Sequence, residues 1–254
     1  MEQQGRRQNK KPILGGGGTM GKVLGILGGM GPLATVKLFE DIVLLTKANS
    51  DQEHIHIIID NNTSIADRTN YILNNNLQDP RPELIKSALR LEKAGADFII
   101  MPCNTAHNFY DEIVKNINIP FLNMIEEAAK HIIENFKGIT KVGLLATEGT
   151  IKAKVYDDTF NKYGVEIIKP SIENQKYITE LIYKIKEGIS QDNLDGVYMA
   201  INELKEKGAE VFIAGCTEVS VAIGLYDLKG NIIDPMRILA VNAIKHAGKM
   251  IRED

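Results

Sequence analysis

The stretch Phe98-Ile99-Ile100-Met101-Pro102-Cys103-Asn104-Thr105-Ala106-His107 ends a short apolar run abruptly in a thiol, an amide and a hydroxyl. It is preceded by Gly95-Ala96-Asp97. The device recurs in Gly208-Ala209-Glu210-Val211-Phe212-Ile213-Ala214-Gly215-Cys216-Thr217-Glu218. Gly95 aligns with Gly208 and Cys103 with Cys216 in one register, and these are the chain's 2 cysteines. A lone buried cysteine behaves as a small hydrophobe. Here each cysteine closes a strand-sized apolar run and is followed by polar residues suited to a strand–loop–helix mouth, so the pair points to function.

The chain of 254 residues is 44% hydrophobic and 25% charged, enough for one large core or two of moderate size. A net charge of −3 offers no basic excess for nucleic acid or an anionic membrane. The longest apolar runs, Ile55–Ile59 and Phe98–Met101, are of strand length and none would span a bilayer. Two cysteines and no signal-peptide pattern predict a reducing, cytoplasmic setting. The polar, basic opening and Gly15-Gly16-Gly17-Gly18 read as a disordered leader or tag over residues 1–19.

Outward from the two cysteine stretches, strands alternate with helices. Lys22–Leu27 reads as a strand entering the turn Gly28-Gly29-Met30-Gly31-Pro32. A helix over Ala34–Ala48 follows, with Val36, Phe39, Ile42, Val43 and Thr46 expected inward. His54–Ile59 is a strand, 67–69 lie in a polar loop, and Glu83–Ala94 is a helix stopped by Gly95. Asn108–Asn116 reads as helix, Pro120–Asn123 as a short strand and Glu126–Phe136 as an amphipathic helix. The pattern then restarts with the strand Lys141–Ala146 and the turn Thr147-Glu148-Gly149-Thr150. It continues through a helix over Lys154–Tyr163, a strand at Val165–Lys169, helices over Tyr177–Glu187 and Leu194–Lys207, and the second cysteine strand. Such alternation predicts an α/β fold of two similar parallel-sheet domains related by a pseudo-twofold, with a site in the cleft between them. The expected boundaries are 20–119 for the first domain and 120–231 for the second, with a terminal helix over 232–254 packing back on the first.

The glycine turn at 28–31 lacks the G-x-G-x-x-G spacing, and Pro32 removes an amide from the helix start, which disfavours a dinucleotide site. It reads instead as backbone N–H groups presented to a small anion. No lysine of the phosphate-loop type follows either turn. Cys103 and His107 stand at i, i+4, yet no further cysteine or histidine pair completes a zinc set, so no metal is expected. A Cys–His hydrolase would leave the second cysteine unexplained, and a disulfide does not suit the compartment. Two equivalent thiols facing each other suit proton transfer at carbon, one on each face. Helix N-termini after each cysteine would favour the thiolate, and polar turns would supply donors to the developing charge.

On Gly28-Gly29-Met30-Gly31-Pro32, Asp67-Arg68-Thr69, Asp79-Pro80-Arg81-Pro82, the two cysteine motifs and Thr147-Glu148-Gly149-Thr150, the chain resembles the aspartate/glutamate racemase family. The likeness is strongest to the cofactor-independent aspartate racemases and covers Met20–Ile251. It implies no cofactor, a homodimer, and a small dicarboxylic amino acid as substrate. By position, Cys103 and Cys216 would be the acid/base thiols. Asn104, Thr105 and Thr217 would hold the α-carboxylate or amino group, and Met30 and Gly31 would line the pocket. Thr147, Thr150 and Glu218, within the matching motifs, would join the substrate-binding set. Arg68 would take the side-chain carboxylate, and Lys186 matches a second cation. Two cations for two carboxylates favour a dicarboxylic amino acid, with aspartate placed first. Glutamate or a broader amino-acid range, a maleate isomerase, a hydantoin racemase, an arylmalonate decarboxylase and a non-catalytic dicarboxylate binder are the alternatives. The loop Asn62-Thr63-Ser64-Ile65-Ala66 lacks the prolines usual in the family's Asn-Pro-x-Ile-Pro-Asp-Arg-Thr, and is expected to be less rigid.

Overall fold

The computed structural model describes residues 21–190 and 193–253, so the expected leader over 1–19 lies outside the described residues. The first half comprises β1 (Leu24–Gly28), α1 (Pro32–Leu45), β2 (Ile57–Asn61), α2 (Arg68–Leu73), α3 (Arg81–Lys93), β3 (Phe98–Ile100) and α4 (Tyr110–Val114). Helix α5 (Met124–Asn135) leads to the second half. That half comprises β4 (Lys141–Ala146), α6 (Glu148–Ala153), α7 (Val155–Asn161), β5 (Glu166–Ile168), α8 (Ile172–Lys186), α9 (Asp195–Glu206), β6 (Val211–Gly215), α10 (Thr217–Tyr226), β7 (Ile232–Ile233) and α11 (Pro235–His246).

The first sheet is ordered β2-β1-β3 and the second β5-β4-β6-β7, all parallel. In each, the first strand of the half sits at the centre and the cysteine strand beside it. The repeat extends further, because Phe121 forms a parallel bridge to Ile99 on β3, where β7 pairs with β6 in the other half. The strand expected at Pro120–Asn123 is therefore this single bridge. Fully covered sheets explain the continuous apolar runs: β1, β3 and β6 are buried at every residue. Alternate residues still face opposite ways. Phe98 and Ile100 pack with α1 and α11, while Ile99 packs with α3 and α4.

The helices after the fourth strand positions are exchanged. Helix α5, which follows the first half, lays Ile125, Ala129 and Ile132 on the second sheet. Helix α11, which follows the second half, lays Met236, Leu239 and Ile244 on the first. All three of those α11 side chains are at most 1% exposed, and burying each contributes roughly 1.5–3 kcal/mol. Both helices start on a side-chain cap, Asn123 for α5 and Asp234 for α11. The chain enters α11 at Pro235, after Ile232 and Ile233 have joined the second sheet, not at 232.

The face of α1 meets expectation in part: Ile42, and Thr46 just past its end, are buried as expected. Thr35, Leu38, Asp41, Ile42 and Leu45 are its buried side, whereas Val36 is 62% exposed and Phe39 40%. Apolar residues surround this helix, so periodicity alone could not select the face. The single helix expected over Lys154–Tyr163 is two, α6 and α7, separated by Lys154 in the left-handed conformation (φ 56°).

Candidate active site

Both cysteines lie just beyond a buried strand, at the carboxyl ends where parallel sheets place ligands. Cys103 packs with the first half's core and Cys216 with the second's, yet both line one narrow cavity of about 20 Å³. Met30, Arg68, Asn104, Thr105, Thr147, Lys186, Thr217 and Glu218 line the same space, as do Asp67 and Thr69. It adjoins an outer cavity of about 390 Å³, with which it shares Met30, Asp67, Arg68, Lys186, Thr217 and Glu218. Gly31 faces the outer cavity, whose apolar wall includes Leu33, Ala34, Ile185 and Val221. Of the residues singled out in the sequence, Thr150 lines neither space. It stands behind them, its hydroxyl 2.8 Å from that of Thr105 and 3.1 Å from that of Thr147. With the Thr105–Thr147 contact of 3.2 Å, these three hydroxyls close a buried ring across the two halves.

The halves approach closely here. A Cβ on Gly149 would lie 2.7 Å from Thr69 Cα, so glycine is what lets α6 meet α2. In the first turn, Gly29 adopts φ 91° and its N–H donates to Thr35 Oγ1 at 2.9 Å. That amide is therefore committed within the turn rather than presented to an anion, as had been expected. The loop without prolines is held by other means: Asn62 Oδ1 accepts from the Ser64 N–H at 3.1 Å and hydroxyl at 2.6 Å, while Asn62 Nδ2 donates to Ser87.

Residues 67–69 begin a helix rather than a loop. Asp67 caps α2 by accepting from the Asn70 N–H at 2.7 Å, and Arg68 is its first residue. One Arg68 guanidinium nitrogen donates to the carbonyls of Ile65 (3.3 Å) and Ala66 (3.1 Å). Its Nε is buried with no hydrogen-bond partner. A buried, unpaired guanidinium N–H is costly, and here it lies on a residue that lines both cavities. Lys186 ends α8, with Nζ 5.2 Å from the Tyr183 ring centre. Burial alone would lower its pKa, but Glu218, Cys216, Asp67 and Cys103 raise it overall and keep it cationic.

The two thiols differ. Cys216 Sγ donates to Glu218 Oε2 at 2.7 Å, and the Thr217 hydroxyl reaches the same oxygen at 3.3 Å. Burial, then the Glu218 charge, pushes the Cys216 thiol well above its usual range, although Lys186 opposes this. Burial and the carboxylate thus favour the thiol at Cys216, where its place before a helix start had suggested a thiolate. Both cysteines are free of disulfides.

His107 is no base for Cys103. Its Nε2 accepts from the Met124 N–H at 3.1 Å, so Nδ1 carries the proton and donates to the Cys103 carbonyl at 2.8 Å. The ring thereby ties the cysteine loop to the start of α5. Burial holds its pKa down at about 4, despite that carbonyl. A depressed folded value means the unfolded chain takes up the proton first as pH falls. This contribution is present above about pH 6.5 and is lost down to about pH 4, amounting to about 3 kcal/mol. Urea unfolding across this window should show a steeper pH dependence for the wild type than for His107→Gln. Equal slopes in the two proteins would refute the buried neutral histidine.

Asp67, Thr69 and the apolar outer wall were not singled out from the sequence as site residues. Asp67 and Thr69 flank Arg68 in a motif already noticed, so proximity was the available signal. The outer wall had none.

The Asp/Glu/Hydantoin racemase profile matches residues 27–243, most of the chain. The protein belongs to this racemase family. Its members are isomerases, and so is this chain. The broad specificity amino-acid racemase RacX of Bacillus subtilis is 29% identical over 87% of this chain and 96% of its own length. The structure of Picrophilus torridus aspartate racemase superposes with a TM-score of 0.79 at 31% identity, covering 91% of this chain and 96% of that one. A putative Asp/Glu racemase from Yersinia pestis gives 0.75 at 27% identity, covering 89% and 99%. Agreement over nearly the full length extends the family assignment to both halves of this racemase, and with them to both cysteine loops. Among its described residues, no helix is long and apolar enough to cross a membrane.

Proposed function

We propose that this racemase interconverts L- and D-aspartate without a cofactor, by moving the α-proton between Cys103 and Cys216. The observation that carries this is the meeting of both thiols, Arg68 and Lys186 on one small cavity. Cys103, as thiolate, takes the α-proton from one face of the substrate. Cys216, kept protonated beside Glu218, gives its proton to the opposite face. The products are the other enantiomer, a Cys103 thiol and a Cys216 thiolate, and the reverse direction runs the same transfers backwards. Between the two transfers, negative charge develops towards the α-carboxylate. The donors set to receive it are Asn104, Thr105 and Thr217, with Thr147 beside them and Thr150 bracing the ring from behind. Arg68 and Lys186 balance the two carboxylates, and Met30 and Gly31 form the wall.

A wider amino-acid range is the second reading. It is favoured by the apolar outer cavity next to the thiols and by the full-length likeness to RacX, which is described as of broad specificity. Incubation with L-Asp, L-Glu, L-Leu and maleate in D2O, followed by NMR and polarimetry, tests both readings. Aspartate should gain α-deuterium and lose optical rotation fastest. Turnover led by leucine would favour the second reading. Absence of exchange with every amino acid would overturn racemisation.

A further inference from the structure

We propose that Tyr156, on α7 of the second half, is a positioning residue that locks the side-chain amide of Asn104 in the first half. The lock turns the NH2 group of Asn104 towards the inner cavity. The inference rests on the reading of Asn104 as a donor to the substrate carboxylate.

Tyr156 is fully buried, and its hydroxyl lies 2.5 Å from Asn104 Oδ1. An amide can be turned two ways, so the chemistry of the partner decides which is populated. In the observed orientation, the phenol donates to Oδ1. In the flipped one, Nδ2 would donate to the phenol oxygen, and the buried O–H would lose its acceptor, since Asn104 is its one hydrogen-bond partner among the described residues. An unsatisfied buried hydroxyl is costly, so the observed orientation dominates. Burial, with Asp234 and Cys216 nearby, pushes the phenol well above its ordinary range, so it keeps the proton it must donate. Asn104 Nδ2, having no protein partner in the described residues, is left for the cavity that Asn104 lines with both thiols. Tyr156 is placed for this by Lys154, whose left-handed backbone ends α6 and starts α7 just before it.

Tyr156→Phe keeps the ring and removes only the donor. It should lower kcat/KM for aspartate about tenfold, in line with the loss of one oriented hydrogen bond, with the melting temperature retained. In an Asn104→Ala background the same change should alter kcat/KM by less than about twofold, because nothing is left to orient. Additive effects, as loosened packing alone would produce, overturn the proposal. So does a silent Tyr156→Phe in an enzyme that needs Asn104. If Asn104→Ala itself leaves kcat/KM unchanged, the substrate-donor reading falls and takes the inference with it. The lock also has a readout that requires no turnover: the side-chain amide resonances of Asn104 in 15N-labelled protein, identified by their loss in Asn104→Asp. Tyr156→Phe should shift and broaden this pair as the amide samples both orientations. An unchanged pair overturns the lock.

Discussion

Cys103→Ser and Cys216→Ser, made separately, are each expected to lower racemisation of aspartate by about 10³-fold, since serine is a far weaker base and one face loses its proton carrier. Each variant keeps one thiol. In D2O it should therefore still wash deuterium into the single enantiomer that this thiol faces, without inversion, so that L-Asp exchanges in one variant and D-Asp in the other. The protonation of Cys216 beside Glu218 adds a further expectation. Cys216→Ser retains the cysteine that lacks this carboxylate partner, and so should be the faster exchanger. Racemisation near the wild-type rate in either variant would remove the two-base mechanism.

Arg68→Lys should lower kcat/KM for aspartate roughly 10- to 100-fold, the range expected for losing a charge-assisted pair of hydrogen bonds. The charge survives in lysine, but the planar fork does not. One arm of that fork is held by the Ile65 and Ala66 carbonyls, while Nε waits without a partner. An ammonium on a flexible stem can reproduce one of these arrangements and not both. Circular dichroism and the melting midpoint should change little. Unaltered kinetics for aspartate would mean that Arg68 does not grip the substrate.

The cysteine repeat was the most informative part of the sequence, because a parallel strand buried on both faces must be continuously apolar and must end at the polar mouth. That made both sheets and both thiols legible, whereas Met30, Arg68, Thr147 and Lys186, which line the same cavity, came only through the family resemblance. Other features depend on contacts between distant segments. The apolar residues of α1 permit several inward faces, and beside the expected Ile42 tertiary packing selected Leu38 and Leu45 over Val36 and Phe39. Asp67 reads equally as a loop residue and as a helix cap until Asn70 is placed. Tyr156 looks like an ordinary apolar position of α7, and its bond to Asn104 spans residues far apart in the chain. The state of Cys216 is set by burial and by Glu218; the sequence displayed Glu218 two residues on, but not that its carboxylate turns back onto the thiol.

The exchange of α5 and α11 between the halves has a consequence for the chemistry. Two separate copies of one half-chain, trading those helices about a twofold axis, would enclose a similar cleft with one cysteine from each. Symmetry would then oblige both thiols to have identical neighbours. Joined in a single polypeptide, the two positions escape that obligation. Where Cys103 is followed by Asn104 and Thr105, Cys216 is followed by Thr217 and Glu218. In the proposed mechanism this freedom lets Cys216 alone be held protonated beside a carboxylate, so the two faces of the substrate need not meet equivalent groups.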